Sequence, residues 1–129
     1  MAKPFKPEGY ISLSPYIIAN DCRRMATLLK GIFEAEELRK FEDGSGRIVH
    51  MELKIDDSVI MAADGNEKYP PNQSVLHVYV PDVYNTFRKA IELGCESVQE
   101  PVNHPGDPDT RGTFKDYQGN LWSVSTQVN

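Results

Sequence analysis

The same order of strand and helix signals occurs twice along this chain, and that repeat limits the fold more than any other feature. Each half has a β-branched and aromatic run, an Asp suited to cap a helix, a helix with an apolar stripe, and three further strand-like runs. Residues 16–21 align in register with residues 77–82. Because one copy cannot bury both its helix and its sheet, the repeat predicts two tandem β-α-β-β-β modules in one α+β domain.

The periodicity also predicts the bounds of the elements. Helices are expected over residues 22–33 and 83–93, the second ended by Gly94. The expected strands are 10–19, 37–41, 47–55 and 58–63 in the first half, and 75–80, 95–98, 111–115 and 120–126 in the second. A single domain is therefore expected over 1–129, with modules at about 10–64 and 74–127 and a polar linker at 65–73 that contains a Pro-Pro pair.

Composition excludes several classes of partner. The net charge is −5 with a pI near 5.1, and the 14 Lys and Arg residues are scattered, so neither nucleic acid nor a membrane is an expected partner. No apolar run is long enough for a signal peptide or a membrane span, which predicts a cytoplasmic protein. Cys22 and Cys95 lack the spacing of a zinc site or a disulfide framework and are interpreted as small hydrophobic residues.

Two strands carry polar side chains on one expected face. In strand 47–55, strict alternation puts His50 and Glu52 on the face opposite to Val49, Met51 and Leu53. The apolar face is suited to lie under a helix. The polar face is therefore expected to line a concave pocket.

The second half repeats this arrangement, with His77 and Tyr79 on one face of strand 75–80. We expect Tyr16 to join the pocket, and Arg111 to reach it from the mouth. The Arg111 guanidinium is suited to grip an anionic group, although a salt bridge to Asp107 or Asp109 explains it equally well. Trp122 is interpreted as core or pocket wall.

Three interpretations of the histidines remain open. A His beside a carboxylate can act as a general base, which fits His50, Glu52 and His77 as acid or base groups. The same three side chains could bind a metal at a displaced position. Alternatively, both histidines are structural, or they orient a ligand.

Several motifs along nearly the whole chain resemble one known family. They lie at residues 14–17 with Asn20-Asp21, and at 46–53, 57–61, 76–83, 112–116 and 119–123. In this order they resemble the vicinal oxygen chelate superfamily of glyoxalase I, extradiol dioxygenases, and bleomycin and fosfomycin resistance proteins, and most closely its PhnB-like, glyoxalase-like branch. The resemblance implies a curved mixed β-sheet or half-barrel with helices outside. The turn at 116–119 departs from the family pattern, since Tyr117 stands where Pro is usual.

The resemblance also implies where a family metal would bind and how chains pair. Its ligand positions fall on Ser14, Met61, Val75 and Ser123, none of which is a His or a carboxylate. A divalent metal in such a site needs imidazole or carboxylate donors, so no metal and no other cofactor is expected, except at a displaced site. Members usually pair as two-fold dimers, which implies a homodimer.

These inferences give two main functional hypotheses. The first is a metal-independent binding protein of the bleomycin-resistance kind, with a small amphipathic ligand as its partner. Its expected ligand-binding residues are Tyr16, His50, Glu52, His77, Tyr79, Arg111 and Trp122. The alternative is an enzyme of the lyase, isomerase or dioxygenase type that uses His50, Glu52 and His77. A third hypothesis is a scaffold whose pocket is filled by its own side chains.

Overall fold

The computed structural model describes residues 3–128. Its elements are β1 (Tyr16–Ala19), α1 (Cys22–Phe33), β2 (Glu36–Glu42), β3 (Ile48–Ile55), β4 (Ser58–Asp64), β5 (Val75–Tyr79), α2 (Val83–Glu92), β6 (Glu96–Val102), β7 (Asp109–Lys115) and β8 (Leu121–Gln127). Within the described part, unit 1 runs to Thr27 and from Glu34 to Asn72. Unit 2 comprises Leu28–Phe33 and the chain from Gln73 onward.

Each unit contains one four-stranded mixed sheet with the same topology. In unit 1 the strand order is β1-β4-β3-β2, and in unit 2 it is β5-β8-β7-β6. The first strand of each unit pairs in parallel with the last one, and the other pairs are antiparallel. The predicted β-α-β-β-β repeat is therefore confirmed.

The helix starts follow the sequence signals. The Asp21 carboxylate accepts a hydrogen bond from the Arg24 amide at 3.2 Å, and Asp82 accepts one from the Asn85 amide at the same distance. Both side chains thereby satisfy an amide that has no partner within the helix. The predicted range of α1 is confirmed, and no helix among the described residues is long and apolar enough to cross a membrane.

Most predicted bounds agree with the structure to within two residues, and two are wrong by more. The first strand begins at Tyr16 instead of residue 10, because Pro15 has no amide to donate and only its carbonyl joins the ladder, accepting from Met61 at 2.9 Å. The sixth strand runs on to Val102 through Pro101, where a loop was expected. β6 is an edge strand, so on its outer side no neighbouring strand requires a backbone N–H donor. A proline, which has no backbone N–H, is therefore tolerated there.

The expected alternation along β3 is also wrong at Val49. The pairing of β2 with β3 shifts register between Phe41 and Glu42, so β3 carries one extra residue at this point. Ile48 is consequently fully buried, whereas Val49 is 40% exposed. Val49 therefore leaves the apolar face that it was expected to share with Met51 and Leu53.

Candidate ligand-binding cleft

A cleft of about 340 Å³ lies on the sheet of unit 1. Its apolar lining comes from three strands, through Tyr16 and Ile18 on β1, Val49 on β3 and Ala63 on β4. Its polar lining consists of Arg47, Asp64 and Asn66, and Tyr69 completes it from the segment after β4. The volume lies at the lower end of the range of about 300–1,000 Å³ that small-molecule sites occupy.

Strand register explains why the apolar residues share one face. Tyr16 pairs with Met61 and Ile18 pairs with Ala63, so alternate residues of β1 and β4 face the same side of the sheet. The register shift in β3 then brings Val49 to that side. Strict alternation would have placed Val49 under a helix, whereas the register shift makes it part of an open cleft.

A second cleft of about 540 Å³ adjoins the first. Both clefts are lined by Arg47, Asp64 and Asn66, so these three residues form their border. The Asp64 carboxylate accepts hydrogen bonds from the amides of Cys22 at 2.7 Å and Ile48 at 2.8 Å. Asp64 thus uses both carboxylate oxygens to connect the start of α1 with the start of β3.

A hydrogen-bonded chain holds Tyr16 at the cleft. Its hydroxyl lies 3.1 Å from His50 Nδ1, and His50 Nε2 lies 2.8 Å from Glu52 Oε2. The other Glu52 oxygen accepts a hydrogen bond from the Tyr10 hydroxyl. His50 and Glu52 therefore share a strand face, as predicted, but they support a lining residue and do not line the cleft themselves.

Glu52 is ionised in this chain although it is only 3% exposed. Burial alone would raise its pKa, but the hydrogen bonds from Tyr10 and His50 and the positive charge of Arg39 outweigh burial and lower the pKa below its ordinary value. An ionised Glu52 accepts from His50 Nε2–H, which leaves Nδ1 to accept from the Tyr16 hydroxyl. Burial raises the pKa of Tyr16, so its hydroxyl keeps its proton.

The predicted residues of the second half form a separate network within unit 2. The rings of His77 and Tyr79 lie edge to face at 4.8 Å, which confirms that they share a strand face. His77 Nε2 is 3.1 Å from Ser125 Oγ, and the Tyr79 hydroxyl donates to Asp109 at 2.8 Å. The hydrogen bond to Asp109 raises the pKa of Tyr79.

Arg111 and Trp122 are both held by carboxylates of unit 2. Arg111 forms a forked ion pair with Asp107, with nitrogen–oxygen distances of 3.0 to 3.2 Å. Trp122 is fully buried, and its ring nitrogen donates to Asp116 at 2.9 Å. The structure therefore places Trp122 in the core of unit 2.

The four positions at which the resemblance places metal ligands carry no imidazole and no carboxylate. Met61 and Val75 offer neither a nitrogen nor an oxygen in their side chains, and Val75 is 78% exposed. Among residues 3–128, no group of three His, Cys, Asp or Glu side chains is arranged to hold a metal ion.

Sequence reasoning missed most of the cleft lining. Arg47 was expected at the start of strand 47–55, where strict alternation puts it on the face of Val49 and Met51. Tyr69 lies in the polar linker, which has no periodicity that would assign a face. Val49 was missed because the register shift depends on pairing with β2.

Comparison with known proteins assigns the family. The sequence model of the Glyoxalase/Bleomycin resistance protein/Dioxygenase superfamily matches residues 10–124. The uncharacterised protein Mb0911c of Mycobacterium bovis is 24% identical over 128 residues, which cover 91% of this chain and 84% of that protein.

Solved structures show the same fold. The crystal structure of TioX from Micromonospora sp. ML1 has a TM-score of 0.75 at 20% identity, over 92% of this chain and 98% of TioX. TnmS3, an antibiotic binding protein from Streptomyces sp. CB03234, has a TM-score of 0.70 at 18% identity over the same shares. Because the family model matches residues 10–124, the chain belongs to the Glyoxalase/Bleomycin resistance protein/Dioxygenase superfamily.

Proposed function

We propose that this chain binds a small amphipathic molecule in the cleft of unit 1 and does not transform it. One observation carries the proposal, namely an open cleft with an apolar floor whose aromatic wall, Tyr16, is fixed by a hydrogen-bonded chain. A pre-organised wall lowers the entropic cost of binding. The description of TnmS3 as an antibiotic binding protein agrees with a binding role in this fold.

The state of Tyr16 favours binding over catalysis. Its raised pKa keeps the hydroxyl protonated, and that proton is donated to His50 Nδ1, so the hydroxyl offers a ligand only an accepting, uncharged oxygen and not a basic one. Both ring nitrogens of His50 already have partners, which fixes the ring. These features describe a group that positions a ligand.

The test uses N-phenyl-1-naphthylamine, a neutral aromatic dye that becomes fluorescent in apolar sites. We expect Val49→Glu to weaken its binding at least about tenfold, because the dye would have to desolvate a carboxylate in the cleft. The matched control is Val98→Glu, at a valine of β6 in unit 2 that is 51% exposed. Equal affinities for the two variants would contradict the proposal.

Acid–base catalysis is the second candidate, and the buried Glu52 supports it. Glu52 fixes the His50 tautomer so that Nδ1 points its lone pair at the Tyr16 hydroxyl, which lies 3.1 Å away beside the cleft. We expect such an enzyme to exchange carbon-bound protons of small 2-oxo acids and aldehydes in D2O. Exchange by the wild type that His50→Ala abolishes would favour this candidate over simple binding.

We also propose that the chain is a homodimer of the PhnB-like branch. The motif residues 46–53 and 76–83 support the branch. The sheets support the association of two chains. Within the described residues, each sheet has an edge strand at either end, and an edge strand is hydrogen-bonded to a neighbouring strand on one side only. Light scattering during size-exclusion chromatography tests it, and a monomer mass at micromolar concentration would contradict it.

A further inference from the structure

Arg47 carries a positive charge that no described carboxylate neutralises by contact. Its guanidinium donates one hydrogen bond, to the Asp64 backbone oxygen at 2.5 Å, and makes no ion pair with any residue in the range 3–128. The side chain is half-buried at the border of the two clefts. A guanidinium has five N–H donors, so most of them remain to be satisfied by solvent or by a ligand.

The neighbouring acids form no ion pair with Arg47 in the described part of the chain. They include Asp21 and Glu67 in the adjoining cleft, and Asp43, whose pKa is lowered by hydrogen bonds first and by the Arg47 charge last. Both Asp64 oxygens accept backbone amides, at 2.7 and 2.8 Å, which partly balances their charge. Asp43 is held mainly by the Ser45 hydroxyl and by the amides of Ser45 and Arg47. An anion approaching the border of the clefts therefore meets an available fork of donors.

Two tyrosine rings line the cleft next to this charge. Tyr16 is 40% exposed and is oriented by His50, whose ring centroid lies 5.9 Å from its own. Tyr69 is 57% exposed, and reciprocal hydrogen bonds with Asn66, of 2.7 and 2.9 Å, fix its backbone. The centroid of the Tyr69 ring lies 5.5 Å from Lys68 Nζ, so a second cation adjoins the cleft. Exposed aromatic rings that line one cleft favour flat, aromatic ligands.

From this combination we propose that the ligand is a flat aromatic molecule with one anionic group. The aromatic part contacts Tyr16, Tyr69 and the apolar floor, and the anionic group, a carboxylate, sulfonate or phosphonate, binds the Arg47 guanidinium. The inference rests on the proposed binding function and adds the chemical class of the ligand. It also gives a role to Arg47, a residue that sequence reasoning left unassigned.

Two dyes that differ by one group separate the inference from the proposed function. 8-Anilinonaphthalene-1-sulfonate has the same ring system as N-phenyl-1-naphthylamine and adds a sulfonate. We expect Arg47→Gln to weaken binding of the sulfonate about tenfold and to change the affinity for the neutral dye by less than about twofold. Arg88→Gln is the matched control, since Arg88 lies on α2 in an ion pair with Glu92 and is 63% exposed.

The outcomes are distinct. If Arg47→Gln leaves the sulfonate affinity unchanged while Val49→Glu abolishes binding of the neutral dye, the anion site is refuted and the binding function stands. If neither dye binds the wild type, both proposals fail.

Retained binding of the neutral dye also shows that Arg47→Gln is folded. If Arg47→Gln does not fold, the salt dependence of dye binding to the wild type tests the anion site instead. The wild type's sulfonate affinity should fall as NaCl is raised from low to physiological concentration, while the affinity for the neutral dye stays constant. Equal salt dependence of the two dyes would refute the anion site.

Discussion

Replacing Glu52 with glutamine tests the hydrogen-bonded chain that supports the cleft. The Glu52 carboxylate is 3% exposed and accepts hydrogen bonds from Tyr10 and His50, one on each oxygen. Arg39 adds a contact at 3.7 Å, but its side chain is 50% exposed, so it contributes little. Glutamine has nearly the same shape and keeps one acceptor oxygen. The substitution therefore removes charge and one acceptor without leaving a cavity.

The expected magnitude follows from these contacts. A hydrogen bond to a charged group contributes about 1.5–3 kcal/mol, and the glutamine side chain loses one such bond and weakens the other. The amide also costs less to bury than the carboxylate, which offsets part of the loss. We therefore expect Glu52→Gln to lower the free energy of unfolding by about 2 kcal/mol at neutral pH. For a chain of this size, Tm should fall by roughly 6–10 °C.

The pH dependence gives a second and more specific readout. The pKa of Glu52 in the folded chain lies below its ordinary value of 4.5, so its charge stabilises the fold fully above 4.5. That contribution is lost as the pH falls through the folded-state pKa. The difference in stability between wild type and Glu52→Gln should therefore be constant above about pH 5 and shrink as the pH falls below that through the lowered folded-state pKa.

Urea unfolding followed by circular dichroism measures both quantities. Glu96→Gln is the control, because Glu96 has a 70% exposed side chain and a single contact to Lys115 at 3.7 Å. Its effect should be within about 0.5 kcal/mol. The reasoning is refuted if Glu52→Gln destabilises no more than the control, or if its effect does not shrink in acid.

Three further outcomes are expected. Burial raises the pKa of the Cys22 thiol to about 12 and that of Cys95 to about 11, so neither should react with a disulfide reagent at mildly alkaline pH until the chain is unfolded. Gly119→Ala should destabilise the fold by about 1–2 kcal/mol in urea unfolding, since Gly119 has a φ of +94° and an added Cβ would meet Gln73. Gly44→Ala is the control and should be near neutral, because a Cβ added there meets nothing within 4 Å. Arg111→Gln should leave the affinity for N-phenyl-1-naphthylamine within about twofold in the same fluorescence titration, because its guanidinium is committed to an ion pair with Asp107.

The elements of this fold could be predicted because their signals are local. The apolar stripe and the capping Asp21 specify α1 within a single run of sequence, and its bounds agree with the prediction. The repeat of element order predicted the composition of both sheets. Boundaries were wrong near Pro15 and Pro101, where the effect of a proline depends on whether its strand is at an edge.

The candidate site was only partly predictable because its geometry is non-local. Alternation correctly paired His50 with Glu52, two residues apart on one strand. The Tyr10 hydroxyl reaches Glu52 across 42 positions in sequence, and Tyr10 itself was expected to lie within a strand. Val49 reaches the cleft only through a register shift against β2, which no pattern within β3 records.

A nitrogen-15 NMR titration of the wild type with N-phenyl-1-naphthylamine tests the central claim most directly. We predict that the largest amide shift changes fall at Tyr16, Ile18, Val49, Ala63 and Tyr69, around the cleft of unit 1. Largest changes around His77 and Arg111 in unit 2, or no saturable changes at all, would contradict the assignment of ligand binding to this cleft.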